Sequence, residues 1–80
     1  MKYYAALLRM EDPQLSKKLR PDHLKYLEQL EEQGKILARG PFVDGAGGLV
    51  IYIAKDFDEA KQLAENDPLI VEKARSLSLH

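Results

Sequence analysis

DGAGGLVIYIA, residues 44 to 54, places a glycine cluster directly before the most strand-like run in the chain. Val, Ile and Tyr fit a pleated surface, while glycine reaches backbone conformations that side chains resist. The stretch therefore reads as the turn and second strand of a β-hairpin. Side chains alternate across a strand, so Leu49, Ile51 and Ile53 face one way and Val50, Tyr52 and Ala54 the other. Both sets are apolar, and a strand of that kind needs cover on two sides.

Working outward, Lys35 to Phe42 (KILARGPF) supplies the first strand of the hairpin. Its Gly40-Pro41 either ends the pairing or puts the strand at a sheet edge, because proline has no N–H to give to a ladder. Downstream, Asp56 with Glu59 three residues later resembles a capping box, and Phe57, Ala60, Leu63 and Ala64 follow at helical spacing. That helix is predicted to run to about Asn66. Asp67-Pro68 ends it, with one further turn over Leu69 to Val71. Arg75 to Leu79 alternates leucine with serine, which predicts a strand with a drier face carrying Leu77 and Leu79.

In the first half, Tyr3 to Met10 is an aromatic and aliphatic run that predicts another strand apolar on both faces. Glu11 to Leu19, with Asp12-Pro13, is predicted to be a loop. From Pro21 a helical period begins in Leu24, Leu27 and Leu30, and Gly34 supplies a left-handed stop. On this reading His23 sits at the mouth of a helix.

The order strand, helix, strand, strand, helix, strand predicts an α+β, ferredoxin-like βαββαβ domain spanning residues 1–80, with a four-stranded antiparallel sheet and two helices on one face. Two helices cover only one side of such a sheet. Its other apolar side predicts a homodimer in which two sheets stack. Eighty residues bury a modest core, which also favours self-association. The chain has no cysteine and two histidines, so neither disulfides nor a protein-built zinc cage is expected.

Twelve basic and thirteen acidic residues are intermixed, for a net charge of −1, so there is no basic stripe to neutralise phosphates and no nucleic-acid partner is expected. MKYYAALLRM breaks at Arg9 without a cleavage site, and no run approaches the ~18–20 apolar residues of a bilayer span. A cytoplasmic location without membrane contact is the expectation.

Few residues carry chemistry. Read alone, His23 is a polar residue of a first helical turn, and Asp67 is a turn residue before proline. A helix mouth favours the neutral imidazole, which is also the form that accepts a proton. Arg39, beside Gly40, Pro41 and Phe42, can grip a carboxylate in a fork, and a solvent-facing arginine is the plain alternative. The glycines at 45, 47 and 48 precede a strand and lack a following Lys-Ser/Thr, so they form no phosphate loop. Gly48 instead lets chain or ligand approach closely. Tyr4 and Tyr52 pack a sheet in the simplest reading and are the tyrosines to consider near a pocket.

RPDHLKYLEQLEEQG (20–34), ARGPF (38–42), DGAGGLVIY (44–52), DFDEA (56–60) and NDPL (66–69) together resemble the YciI-like family, whose members are small dimeric α/β-barrel proteins related in fold to muconolactone isomerases. The resemblance covers almost the whole chain. It implies a reactive pair at His23 and Asp67, no cofactor, a small acidic or lactone-like ligand, and relatives extending a few residues past His80. At Arg39 the resemblance fails, since relatives carry a small residue there. The function it implies is proton transfer by a lyase or isomerase. A non-catalytic metabolite-binding dimeric module and a purely structural dimer are the alternatives.

Overall fold

The computed structural model describes all 80 residues. Its sheet has four strands, β1 (Lys2–Met10), β2 (Ile36–Pro41), β3 (Gly47–Ala54) and β4 (Arg75–Leu79). They lie in the order β2-β3-β1-β4, every neighbouring pair antiparallel. The helices are α1 (Pro13–Glu32), α2 (Phe57–Glu65) and the single turn α3 (Pro68–Val71). This is the ferredoxin-like arrangement, and no helix is long and apolar enough to cross a membrane.

The 44–54 stretch behaves as its chemistry dictates. Asp44 Oδ1 accepts from the Ala46 amide at 2.9 Å, Gly45 takes φ 76°, and the Phe42 amide donates to the Gly47 carbonyl to close the hairpin. The even residues of β3 are buried beneath the helices: Val50, Tyr52 and Ala54 are at most 2% exposed. Val50 and Tyr52 join Ala6, Leu8 and Ile36 from the sheet, Leu27 and Leu30 from α1, and Ala64 from α2 in one core. On the opposite face Tyr3 and Leu7 stand 64% and 38% exposed beside half-buried Leu49, Ile51 and Ile53. Hence the sheet has one dry side and one uncovered apolar side. β2 is one of the two edge strands, its pairing ends at Pro41, and a bulge between Ile36 and Ala38 turns Leu37 outward.

The expected loop over Glu11–Leu19 is corrected: α1 begins at Pro13. Asp12, in extended backbone, caps it by accepting from the Leu15 amide at 3.0 Å, and Pro13 occupies the first turn, where its missing N–H costs nothing. A helix start and a turn share the same Asp-Pro signal. Pro21, taken as that start, lies inside the helix. Its ring removes one main-chain hydrogen bond and crowds the preceding carbonyl, yet burial of Ser16, His23, Leu27 and Leu30 on one face holds the twenty residues together. His23 is therefore mid-helix, and the dipole argument for it lapses, because that effect fades within the first turn. The other boundaries agree: Gly34 follows α1 at φ 74°, Asn66 caps α2, and β4 spans Arg75–Leu79.

Candidate functional site

With α1 beginning at Pro13, Ser16, Arg20, His23 and Leu27 fall at intervals of four, three and four, which is one face of a helix. That face overlooks the open end of the sheet, and between them lies a cleft of about 210 Å³. Leu8, Val50 and Leu69 give it an apolar floor, Gly40, Pro41 and Gly48 its β2–β3 margin, and Lys17, Arg20, His23, Arg39 and Arg75 its polar groups.

At the back of the cleft is a buried pair. His23 Nδ1 is 2.8 Å from both carboxylate oxygens of Asp67, which is fully buried. Asp67 is held there by its place at the start of α3, where Oδ1 also accepts from the Leu69 amide at 3.0 Å. The proline after it forces the extended backbone that such a cap needs. A carboxylate only accepts, so Nδ1 carries the hydrogen and Nε2 is left as the acceptor, with no protein partner, on a residue that lines the cleft.

Burial shifts several groups around the pair, and not all of them are compensated. The Tyr26 hydroxyl donates to the Leu63 carbonyl at 2.7 Å, and its pKa is pushed up to about 12, first by burial and then by the Asp67 charge. Tyr52 is shifted in the same direction by burial first, then by the Asp67 charge and by Tyr26, and its hydroxyl is buried without a partner. Arg75 is shifted down by burial, against the pull of Asp67 and with the push of Arg20. No third histidine, cysteine or carboxylate joins the pair to make a metal-binding group.

Of the residues singled out in the sequence, His23, Arg39, Gly40, Pro41 and Gly48 line the cleft and Asp67 stands directly behind it. Tyr52 belongs to the core beneath, and Tyr4 packs edge-on against Phe57 at a ring separation of 6.0 Å. Phe42 lies on the hairpin, outside the cleft. The Arg39 guanidinium is already forked by Glu31, Nε to Oε2 at 3.0 Å and Nη2 to Oε1 at 3.1 Å, so its paired donors face its own helix neighbour. That contact raises the pKa of Arg39 and lowers that of Glu31.

Ser16, Lys17, Arg20 and Arg75 escaped the sequence reading. The first three were lost with the first two turns of α1. Arg75 shares parity with Leu77 and Leu79, so its place on the helix-covered side was visible in the alternation.

A profile of the YCII-related domain matches residues 1–75. The uncharacterized protein YjpA of Bacillus subtilis (strain 168) is 25% identical over 77 residues, which is 96% of this chain and 91% of that one. Among solved structures, the 5-chloro-2-hydroxyhydroquinone dehydrochlorinase TftG from Burkholderia phenoliruptrix AC1100, in complex with 2,5-dihydroxybenzoquinone, aligns at a TM-score of 0.81 and 25% identity. The alignment covers 99% of this chain and 91% of that one.

Proposed function

The chain belongs to the YCII-related domain family, and from that premise we propose that it is a cofactor-independent small-molecule enzyme of the lyase or isomerase type, in which His23 carries a proton and Asp67 holds His23 in place. The observation that supports this is the fastening of His23 Nδ1 to a buried carboxylate on a ring that lines the cleft. A histidine serving packing alone would not require a fully buried charge behind it.

The chemistry follows from that tautomer. Nε2 takes a proton from a substrate carbon beside a carbonyl, and the electron pair of the broken C–H bond becomes the C=C of an enolate. The enolate then expels a leaving group from the adjacent carbon with its bonding pair, which is an elimination, or regains the proton from the imidazolium at another carbon, which is an isomerisation. Throughout, Asp67 stays ionised and stabilises the imidazolium. The structural relative is by name a dehydrochlorinase, and loss of hydrogen and chloride from one molecule is an elimination. We propose further that two copies pair through the uncovered sheet face, which carries Tyr3, Leu7, Leu49, Ile51 and Ile53.

The test is turnover. Chloride release from 5-chloro-2-hydroxyhydroquinone, and deuterium uptake from solvent into small ketones and lactones, are measured with wild type and His23→Ala. Wild type is expected to turn over at least one of these, and the variant to be slower by about 100-fold or more. Binding of the panel without proton exchange in any member would replace the enzyme with the metabolite-binding module.

A further inference from the structure

The cleft has a charge imbalance that the proton-transfer reading does not use. Among its lining residues are Lys17, Arg20, Arg39 and Arg75, and there is no carboxylate. The chain as a whole carries a net charge of −1, so this concentration of cations is local. Of the four, only Arg39 has an ion-pair partner, Glu31, outside the apolar floor. Asp67 is engaged with His23.

Arg75 is the unusual member. It stands on β4 opposite Met10, yet its Nη1 lies 3.3 Å from where a Cβ on Gly48 of β3 would be. β1 lies between those strands, so the side chain reaches across the helix-facing side of the sheet, beneath the cleft. Its Nε is buried and has no hydrogen-bond acceptor. A buried guanidinium donor left without an acceptor is costly, and structures keep such groups where something completes them. Arg20, one turn before His23 on the same face of α1, lines the same cleft as Arg75 and opposes its charge, while Asp67, which makes no ion pair with Arg75, pulls the other way. Two unpaired guanidinium groups facing one cavity are best satisfied by an anionic oxygen between them.

We propose that Arg75 and Arg20 form an oxyanion-binding subsite that selects a small organic carboxylate, held in the cleft within reach of His23. The orientation toward His23 rests on the proton-transfer reading, whereas the subsite does not. Gly48 is part of the same device, because its missing side chain leaves the space in which the Arg75 guanidinium lies. The cleft, at about 210 Å³, lies below the ~300–1,000 Å³ of sites for drug-sized ligands, which suits a compact carboxylate.

Benzoate and its neutral counterpart benzamide are the probes, with calorimetric titration of wild type, Arg75→Gln, Arg20→Gln, Arg75→Lys and His23→Asn, each checked for folding by circular dichroism. Wild type is expected to bind benzoate at least about tenfold more tightly than benzamide, with an affinity that falls as salt rises. Arg75→Gln and Arg20→Gln should each weaken benzoate about tenfold or more and leave benzamide within about twofold, and Arg75→Lys should fall between. His23→Asn should keep benzoate binding within a few-fold. If that variant keeps binding while wild type exchanges no substrate proton, the subsite holds and the enzymatic reading alone falls. Equal binding of the two probes, no benzoate binding by wild type, or unchanged benzoate affinity in a folded Arg75→Gln would overturn the subsite.

Discussion

His23 and Asp67, forty-four residues apart in sequence, meet at 2.8 Å through Nδ1 and both carboxylate oxygens, in a place where the carboxylate has no exposure to water. A mid-helix residue and a residue capping a single later turn are thereby joined, so α1 and α3 are clamped by the same contact that fixes the imidazole.

Asp67→Asn should separate those two duties. The amide oxygen can still accept from Leu69, and the fold should persist, but the charge that stabilises an imidazolium is gone. Turnover is expected to fall by about 100-fold or more, with affinity for the substrate changed little. Asp67→Ala should in addition lower stability by about 1–3 kcal/mol for each donor it orphans, the His23 Nδ1–H and the Leu69 N–H. Urea unfolding with unchanged slope, alongside kinetics, checks both. Equal kinetics in Asp67→Asn and wild type would remove Asp67 from the chemistry.

Gly47 and Gly48 are neighbours with different tasks, and alanine should show it. At Gly47 a Cβ would overlap the Leu8 carbonyl oxygen with the backbone at φ 141°, which no side chain can accommodate without moving β1. At Gly48 the nearest atoms are the Gly40 oxygen at 3.0 Å and Arg75 Nη1 at 3.3 Å, the second being the end of a flexible chain. Gly47→Ala is expected to abolish folding or cost more than about 3 kcal/mol, whereas Gly48→Ala should cost about 1–2 kcal/mol and displace Arg75. Thermal melts of both variants, with benzoate titration of the second, measure the difference.

What the sequence disclosed, and what it hid, follows from which signals are local. The β-hairpin was legible because glycine and alternating Val, Ile and Tyr admit few other readings. The α2 cap was legible from Asp56 and Glu59, and the structure shows the Asp56 side chain accepting from the Glu59 amide. The start of α1 was misplaced because two prolines competed for one role, and only tertiary burial of Ser16 and His23 decides that Pro21 is tolerated inside. The pairing of His23 with Asp67 could be named only through the family likeness, because no spacing rule relates positions on separate helices. Arg39 illustrates the opposite failure: a plausible carboxylate fork whose partner, Glu31, lies in the same chain.

Alkaline pH gives a test of how the tyrosines are buried. The Tyr26 pKa rises from 10.0 to about 12 on folding, so the folded state keeps a proton that the unfolded state releases. The sign follows from proton linkage: below pH 10 both states hold the proton and the contribution is fully present, and above it the unfolded chain binds fewer protons, so stability declines as pH climbs through about 12. Tyr52 is shifted the same way and adds to the decline. Tyr26→Phe loses the bond to Leu63 and should be about 1 kcal/mol less stable near neutrality. Between pH 10 and 12 the gap should narrow, since the variant has one fewer group to titrate. Chemical denaturation across that range reads it directly, and a gap that widens would show that Tyr26 is not held protonated.

The uncovered sheet face makes the last prediction. Ile51, half-buried, stands at its centre, paired across the ladder with Ala5 of β1 and Ala38 of β2. Flanking it are the cross-strand pairs Leu7 with Leu49 and Tyr3 with Ile53. In an isolated chain a lysine at this position would be solvated and nearly neutral in cost. In a stack of two sheets it would bury two unpaired ammonium groups against leucine and isoleucine, one from each copy, at several kcal/mol apiece. Ile51→Lys is therefore expected to convert a dimer to a monomer by analytical ultracentrifugation, and to lower a melting temperature that in wild type rises with protein concentration. Lys25→Glu, on the exposed side of α1, should leave the mass unchanged. A wild-type chain that sediments as a monomer at high micromolar concentration, with a melting temperature independent of concentration, would leave this face bare and refute the pairing.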